Sequence, residues 1–114
     1  MTYNTELMLS EVDCEVCGVE YAKLVYSETE NGFKLAVVYS DSIDTMRATE
    51  QSKQADVDAV LADARNTVES GWSYSHDEEN EDGVLAPVYS KHSSEQKREL
   101  NDEINSIVER IKNR

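Results

Sequence analysis

The chain is short of positive charge. Eleven lysines and arginines stand against 24 aspartates and glutamates, for a formal charge of −13. Nucleic acids and anionic membrane surfaces repel a chain this acidic, which argues against direct binding to either. Cysteine is scarce too. Cys14 and Cys17 are too few for a disulfide framework, so a reducing, cytoplasmic setting is expected. The four glycines are isolated and there is one proline, so neither a flexible linker nor a glycine-rich phosphate loop is present. The longest apolar run, Leu35 to Tyr39, is far below the roughly 18 residues of a membrane span. The first residues lack the basic start and apolar stretch of a secretory signal.

Within 114 residues, an apolar content of 39% supplies one core, so a single acidic domain over 1–114 is expected. Val19–Ser27 and Phe33–Tyr39 are β-branched and aromatic runs on either side of Asn31-Gly32, which predicts a central hairpin over 19–40. Thr5–Val12 fits either a short helix or a further strand. Residues 41–52 are polar and read as a connector with one helical turn. Val57, Val60, Leu61, Ala64 and Val68 share one face at a period of 3.6, giving a helix over about 53–70, with Ser52 as cap and Gly71 as a left-handed stop. Trp72–His76 and Val84–Tyr89 flank an acidic turn and predict a second hairpin, with Pro87 confining its strand to an edge or bulge. Ser93 and Gln96 form a capping box before Leu100, Ile104, Ile107, Val108 and Ile111, a helix over about 94–112. The fold class is therefore α+β: a small antiparallel sheet of three to five strands with two amphipathic helices on one face.

The negative charge is uneven. Residues 1–82 hold 19 acids against five bases, net −14, whereas residues 83–114 hold five acids against six bases, net +1. The acids are interleaved with apolar residues at strand and helix periods, unlike a disordered acidic tail. The plain reading is a solvated surface. The specific one is a folded negative face that occupies phosphate-binding positions on a basic protein, steered from long range and weakened by salt. In composition the chain is similar to small acidic inhibitors that imitate DNA, and to immunity or antitoxin proteins that cover a nuclease. That likeness implies a non-enzymatic inhibitor or anti-defence role, with a nuclease or other nucleic-acid-binding protein as partner. Asp56, Asp58 and Asp63 on the first helix are the predicted contacts, with Asp77, Glu78, Glu79, Glu81 and Asp82 in the acidic turn and Trp72 and Tyr74 beside it. Aromatics ringed by charge are frequent anchors of interfaces.

A second reading starts from Cys14-Glu-Val-Cys17-Gly18. Two thiolates at this spacing before a hairpin resemble half of a zinc ribbon, which implies a zinc-knuckle adaptor. No second Cys-x-x-Cys exists, so further ligands would be His76 and His92 or the same pair from a second copy; two ordinary thiols are the simpler account. Glu78–Leu85 resembles the first half of a calcium-binding EF-hand loop, but Tyr89 stands at the twelfth position where the bidentate glutamate belongs, so an acidic hairpin turn explains it better. Ser75-His76-Asp77 has the residue types of a triad without its geometry, and an enzyme is not expected. The apolar stripe of the last helix is expected to pack on the protein's own sheet. Its near-neutral surroundings also make it the segment least opposed to a homodimer contact.

Overall fold

The computed structural model describes residues 3–14, 18–40 and 42–113. Eight elements follow in order: β1 (Asn4–Cys14), β2 (Gly18–Thr29), β3 (Gly32–Tyr39), β4 (Met46–Thr49), α1 (Gln54–Ser70), β5 (Trp72–Glu79), β6 (Leu85–Lys91) and α2 (Ser94–Lys112). The first four strands form an antiparallel sheet in the order β1-β2-β3-β4, and β5 and β6 form a separate two-stranded ribbon. The architecture is α+β, with both helices on one face of the four-stranded sheet.

That face is set by alternation. Leu7, Leu9, Ala22, Leu24, Tyr26, Phe33, Leu35, Val37 and Ala48 all point to it and are buried. Val57, Val60, Ala64 and Val68 of α1 and Ile104 and Ile107 of α2 close over them. Leu100, Val108 and Ile111 pack at the margin, so the apolar stripe of α2 is directed into the protein's own core. Arg65 fixes the helices to each other, donating to Asn101 (3.3 Å) and Asn105 (2.7 Å). Arg110 fixes α2 to the sheet, ion-paired with Glu28 at 2.9 Å and stacked 3.8 Å above the Tyr3 ring.

One open alternative is resolved and four local expectations change. Thr5–Val12 is strand, because β1 pairs with β2 along its length, with an irregularity between Met8 and Ser10. The 41–52 connector contains β4 rather than a helical turn: Ala48 lies opposite Leu35 and is fully buried, which outweighs the polar composition around it. Ser52 does not cap α1. Its hydroxyl accepts from the Thr49 amide at 2.9 Å and ties off β4, while Lys53 is the cap residue and Asp56 reaches back to the Lys53 amide at 3.1 Å. In the central hairpin the turn residues are Glu30 and Asn31, with Gly32 already paired to Thr29, so Asn31 needs no positive φ.

Gly71 is the fourth. Its φ of −78° and ψ of 168° are extended, not left-handed. Glycine is required there by space: a Cβ would stand 2.6 Å from the Thr67 carbonyl and 2.8 Å from the His92 ring. The junction of α1, β5 and α2 is thus built around one missing methyl group. The capping box of α2 forms as expected, with Ser93 Oγ accepting from the Gln96 amide (3.2 Å) and Gln96 Oε1 from the Ser93 amide (2.8 Å).

The ribbon leaves this junction and runs beyond the core. The radius of gyration is 16.3 Å and the extents are 55 × 30 × 27 Å, against roughly 13 Å for a compact chain of this length.

Candidate partner-binding surface

Among the described residues, the hydrogen bonds that tie the ribbon to the core lie at its base. The Trp72 amide donates to Ser10 Oγ (3.0 Å), the His92 amide to the Gly71 carbonyl (3.0 Å), and Gln96 Nε2 to Ser73 Oγ (3.1 Å). Beyond Ser73 every residue of β5 is exposed. β5 extends further than expected, to Glu79, so that Asp77, Glu78 and Glu79 are strand residues rather than turn, and β6 starts one residue later than expected, at Leu85, and runs on to Lys91. The turn itself is closed by Asn80. Its Oδ1 accepts from the amides of Asp82 (2.9 Å) and Val84 (3.0 Å), its carbonyl accepts from Gly83 (3.0 Å), and Gly83 takes a positive φ of 76°. Asn80 Oδ1, which an EF-hand would direct at calcium, is engaged by backbone. The acidic hairpin turn accounts for the segment.

Pro87 is tolerated because both strands of the ribbon are edges, and it pairs with Asp77. The register steps between Tyr74 and His76, leaving Ser75 as the extra residue of a bulge. Alternation is reset there. Trp72, Tyr74, Asp77 and Glu79 come to one side with Lys91, Tyr89, Pro87 and Leu85, whereas Ser73, His76 and Glu78 fall on the other with Ser90, Val88 and Ala86. The Ser73 side meets α2 through Gln96. The other side faces solvent and combines aromatic and acidic groups. Tyr74 and Tyr89 meet edge to face at 6.1 Å, and Lys91 lies 5.9 Å above the Trp72 ring. Trp72 is 39% and Tyr74 51% exposed. A hydrogen bond to Asp77 is the main cause that raises the Tyr74 phenol above its ordinary pKa, with desolvation and the charge of Asp77 adding to it.

Of the predicted contact residues, the fold gathers Trp72, Tyr74, Asp77, Glu79, Glu81 and Asp82 on this arm, with Glu78 on its reverse side. Among the ion pairs between described residues, none involves Asp77, Glu79, Glu81 or Asp82. The three acids of α1 are elsewhere and are committed locally. Asp56 belongs to the helix start, Asp58 accepts from Gln54 at 3.1 Å, and Asp63, half-buried, accepts from the Tyr39 hydroxyl. Burial, followed by the bond to Asp63, raises the Tyr39 phenol. Asp58 also borders an open groove of about 550 Å³ between the helices, lined as well by Arg65 and Lys112, so it does not extend the acidic arm. Tyr89, Pro87 and Leu85 join the exposed side without having been expected there; only the bulge reveals their alignment with Tyr74 and Glu79.

The zinc reading divides. Cys17 and the Cys14 side chain lie outside the described residues. His76 is exposed on the ribbon, with Nδ1 2.9 Å from Ser75 Oγ and Nε2 3.0 Å from Glu78. His92 is buried at the base, and its Nε2 donates to the Leu9 carbonyl at 2.7 Å. The two imidazoles are separated by about four strand residues, roughly 13 Å along the ribbon, and they do not converge. Among the described residues no group of three or more His, Cys, Asp or Glu side chains is placed to hold a metal. No described helix is long and apolar enough to cross a membrane. No family model, curated protein or solved structure matches the chain.

Proposed function

We propose that the chain is a non-enzymatic binding protein whose acidic ribbon occupies the nucleic-acid-binding surface of a basic protein and thereby inhibits it. The observation that carries this reading is the placement of Asp77, Glu79, Glu81 and Asp82. Asp77 and Glu79 stand on the paired strand of a projecting arm and Glu81 and Asp82 in its turn, outside any ion pair between described residues, with the exposed rings of Trp72 and Tyr74 on the same arm. Carboxylates held several ångströms apart on a paired ribbon lose little freedom on binding, and a basic groove repays their desolvation. The aromatic rings supply apolar contact area at the foot of the same side. A surface that served solvation alone gains nothing from leaving the core on an arm.

Such a complex forms fast at low salt and loosens steeply as salt rises. The test is to immobilise the protein, load host lysate at low ionic strength, and elute with competing duplex DNA. Retention of DNA-binding proteins that the duplex displaces, with loss of that retention in the quadruple variant Asp77→Asn, Glu79→Gln, Glu81→Gln, Asp82→Asn, supports the proposal. Equal retention by the variant refutes the role of the ribbon, and retention indifferent to DNA refutes mimicry of nucleic acid.

A further inference from the structure

The helices cover one face of the four-stranded sheet and leave the other open, and the open face does not share the character of the rest of the surface. Three of the five bases of residues 1–82 project from it: Lys23, Lys34 and Arg47. Between them lie Met8, Tyr21, Val25, Ala36 and Val38; Met8 is 37% exposed and the other four are half-buried, with no helix or strand of the described residues layered above them. We propose that this face is a self-association surface on which a second copy of the chain packs face to face, related by a two-fold axis parallel to the strands.

The register supplies the argument. One row across the sheet reads Glu6, Val25, Ala36, Arg47, in the order β1, β2, β3, β4. A two-fold axis along the strands, passing between β2 and β3, reverses that row in the partner copy. Glu6 then faces Arg47 of the second copy at both edges, and Val25 faces Ala36 twice in the centre, so the row is complementary to itself. Isologous contacts require that property. The alternative axis, across the strands, would set Glu6 against Glu6 and Arg47 against Arg47. Glu6 is available for a second partner, since its side chain is 64% exposed and its pairing with Lys23 is long at 3.6 Å. Sheets stack in this way about 10 Å apart with their strands roughly aligned. At a strand spacing of about 4.8 Å, the β2–β3 overlap over about 25 Å and the β1–β4 overlaps over the roughly 13 Å of β4 bury on the order of 700 Å² in total. That area is below the usual size of a specific interface, so the dimer is a weak one, in the micromolar range. A dimer made this way leaves the β5–β6 ribbon of each copy free.

Sedimentation velocity at low salt, across a wide concentration range, tests this with Glu6→Arg and Arg47→Glu as single variants and as a mixture. Both side chains are exposed, so the fold survives either change. The wild type is expected to dimerise, and each single variant to raise the dimer dissociation constant by roughly tenfold or more, because both edge pairs become repulsive. Mixing the two variants places opposite charges at both edges and is expected to restore a heterodimer. A wild type that stays monomeric at several hundred micromolar, variants that dimerise as the wild type does, a mixture that fails to recover, or open-ended polymers would each overturn the proposal.

Discussion

Gly71→Ala tests the junction that holds the ribbon to the core. Because the backbone there is extended, alanine carries no conformational strain, and the whole effect is steric. The new methyl would lie 2.6 Å from the Thr67 carbonyl and 2.8 Å from both Cδ2 and Nε2 of His92. Neither neighbour yields freely. The carbonyl belongs to the last turns of α1, and the imidazole is held by the Leu9 carbonyl at 2.7 Å with its own amide bonded to Gly71. Overpacking of this kind costs about 1–3 kcal/mol, and the lower entropy of an unfolded chain with alanine offsets about 0.4–1 of it. The expected net loss is about 1–2 kcal/mol. For a domain of this size that lowers Tm by roughly 5–10 °C, measured by far-UV circular dichroism on heating and by urea unfolding. Gly71→Asn separates the two accounts of this glycine. In a left-handed position asparagine is tolerated better than alanine; in the tight extended site the larger residue is at least as harmful. An alanine variant as stable as the parent, or an asparagine variant more stable than the alanine one, refutes the steric account.

Other perturbations probe the remaining parts. Ile104→Ala, at a fully buried position, is expected to cost about 2–5 kcal/mol in chemical denaturation, whereas Ser93→Ala, which removes the cap of α2, should cost about 1 kcal/mol by the same assay. Tyr39 stays protonated more tenaciously folded than unfolded, so its contribution to stability is complete below about pH 10, the pKa of a free phenol, and declines as pH rises toward the raised folded value. Tyr39→Phe should flatten the fall in stability through that alkaline window, and an unchanged slope in pH-dependent denaturation would count against it. Neutralising Asp77, Glu79, Glu81 and Asp82 should leave the melting temperature within a degree or two of the parent or raise it, since the change removes repulsion and no ion pair between described residues; a large destabilisation would show that these acids serve the fold.

What was legible in the sequence was periodic. The alternation of β2 and β3, the five-residue stripe of α2 and the Ser93–Gln96 box each carry their own signal over many residues, and each formed. β4 was not legible because its four residues include one buried side chain, Ala48, and its strand character comes from β3 opposite it. The role of Gly71 is hidden for a related reason: a stop by conformation and a stop by crowding use the same residue type, and the positions of Thr67 and His92 distinguish them. At the candidate surface the acidic and aromatic residue types could be read directly. Their division could not. The bulge at Ser75 displaces everything beyond it by one position, bringing Asp77 and Glu79 beside Tyr74 and sending Glu78 behind. Composition also treated the acids of α1 and of the ribbon as equivalent, although Asp56 and Asp63 are taken up by backbone and by Tyr39.

The central claim is that the ribbon acts as a charged surrogate for nucleic acid, and its most direct measurement compares salt dependence between two variants. Binding of the DNA-displaceable partner is followed from low to high salt for the parent, for the ribbon-neutralised protein and for Asp56→Asn/Asp58→Asn. The account predicts a steep salt slope in the parent that becomes shallow with weak binding when the ribbon is neutralised, and stays steep in the α1 variant. A slope that is unaffected by the ribbon, or that collapses with the α1 pair instead, would contradict it.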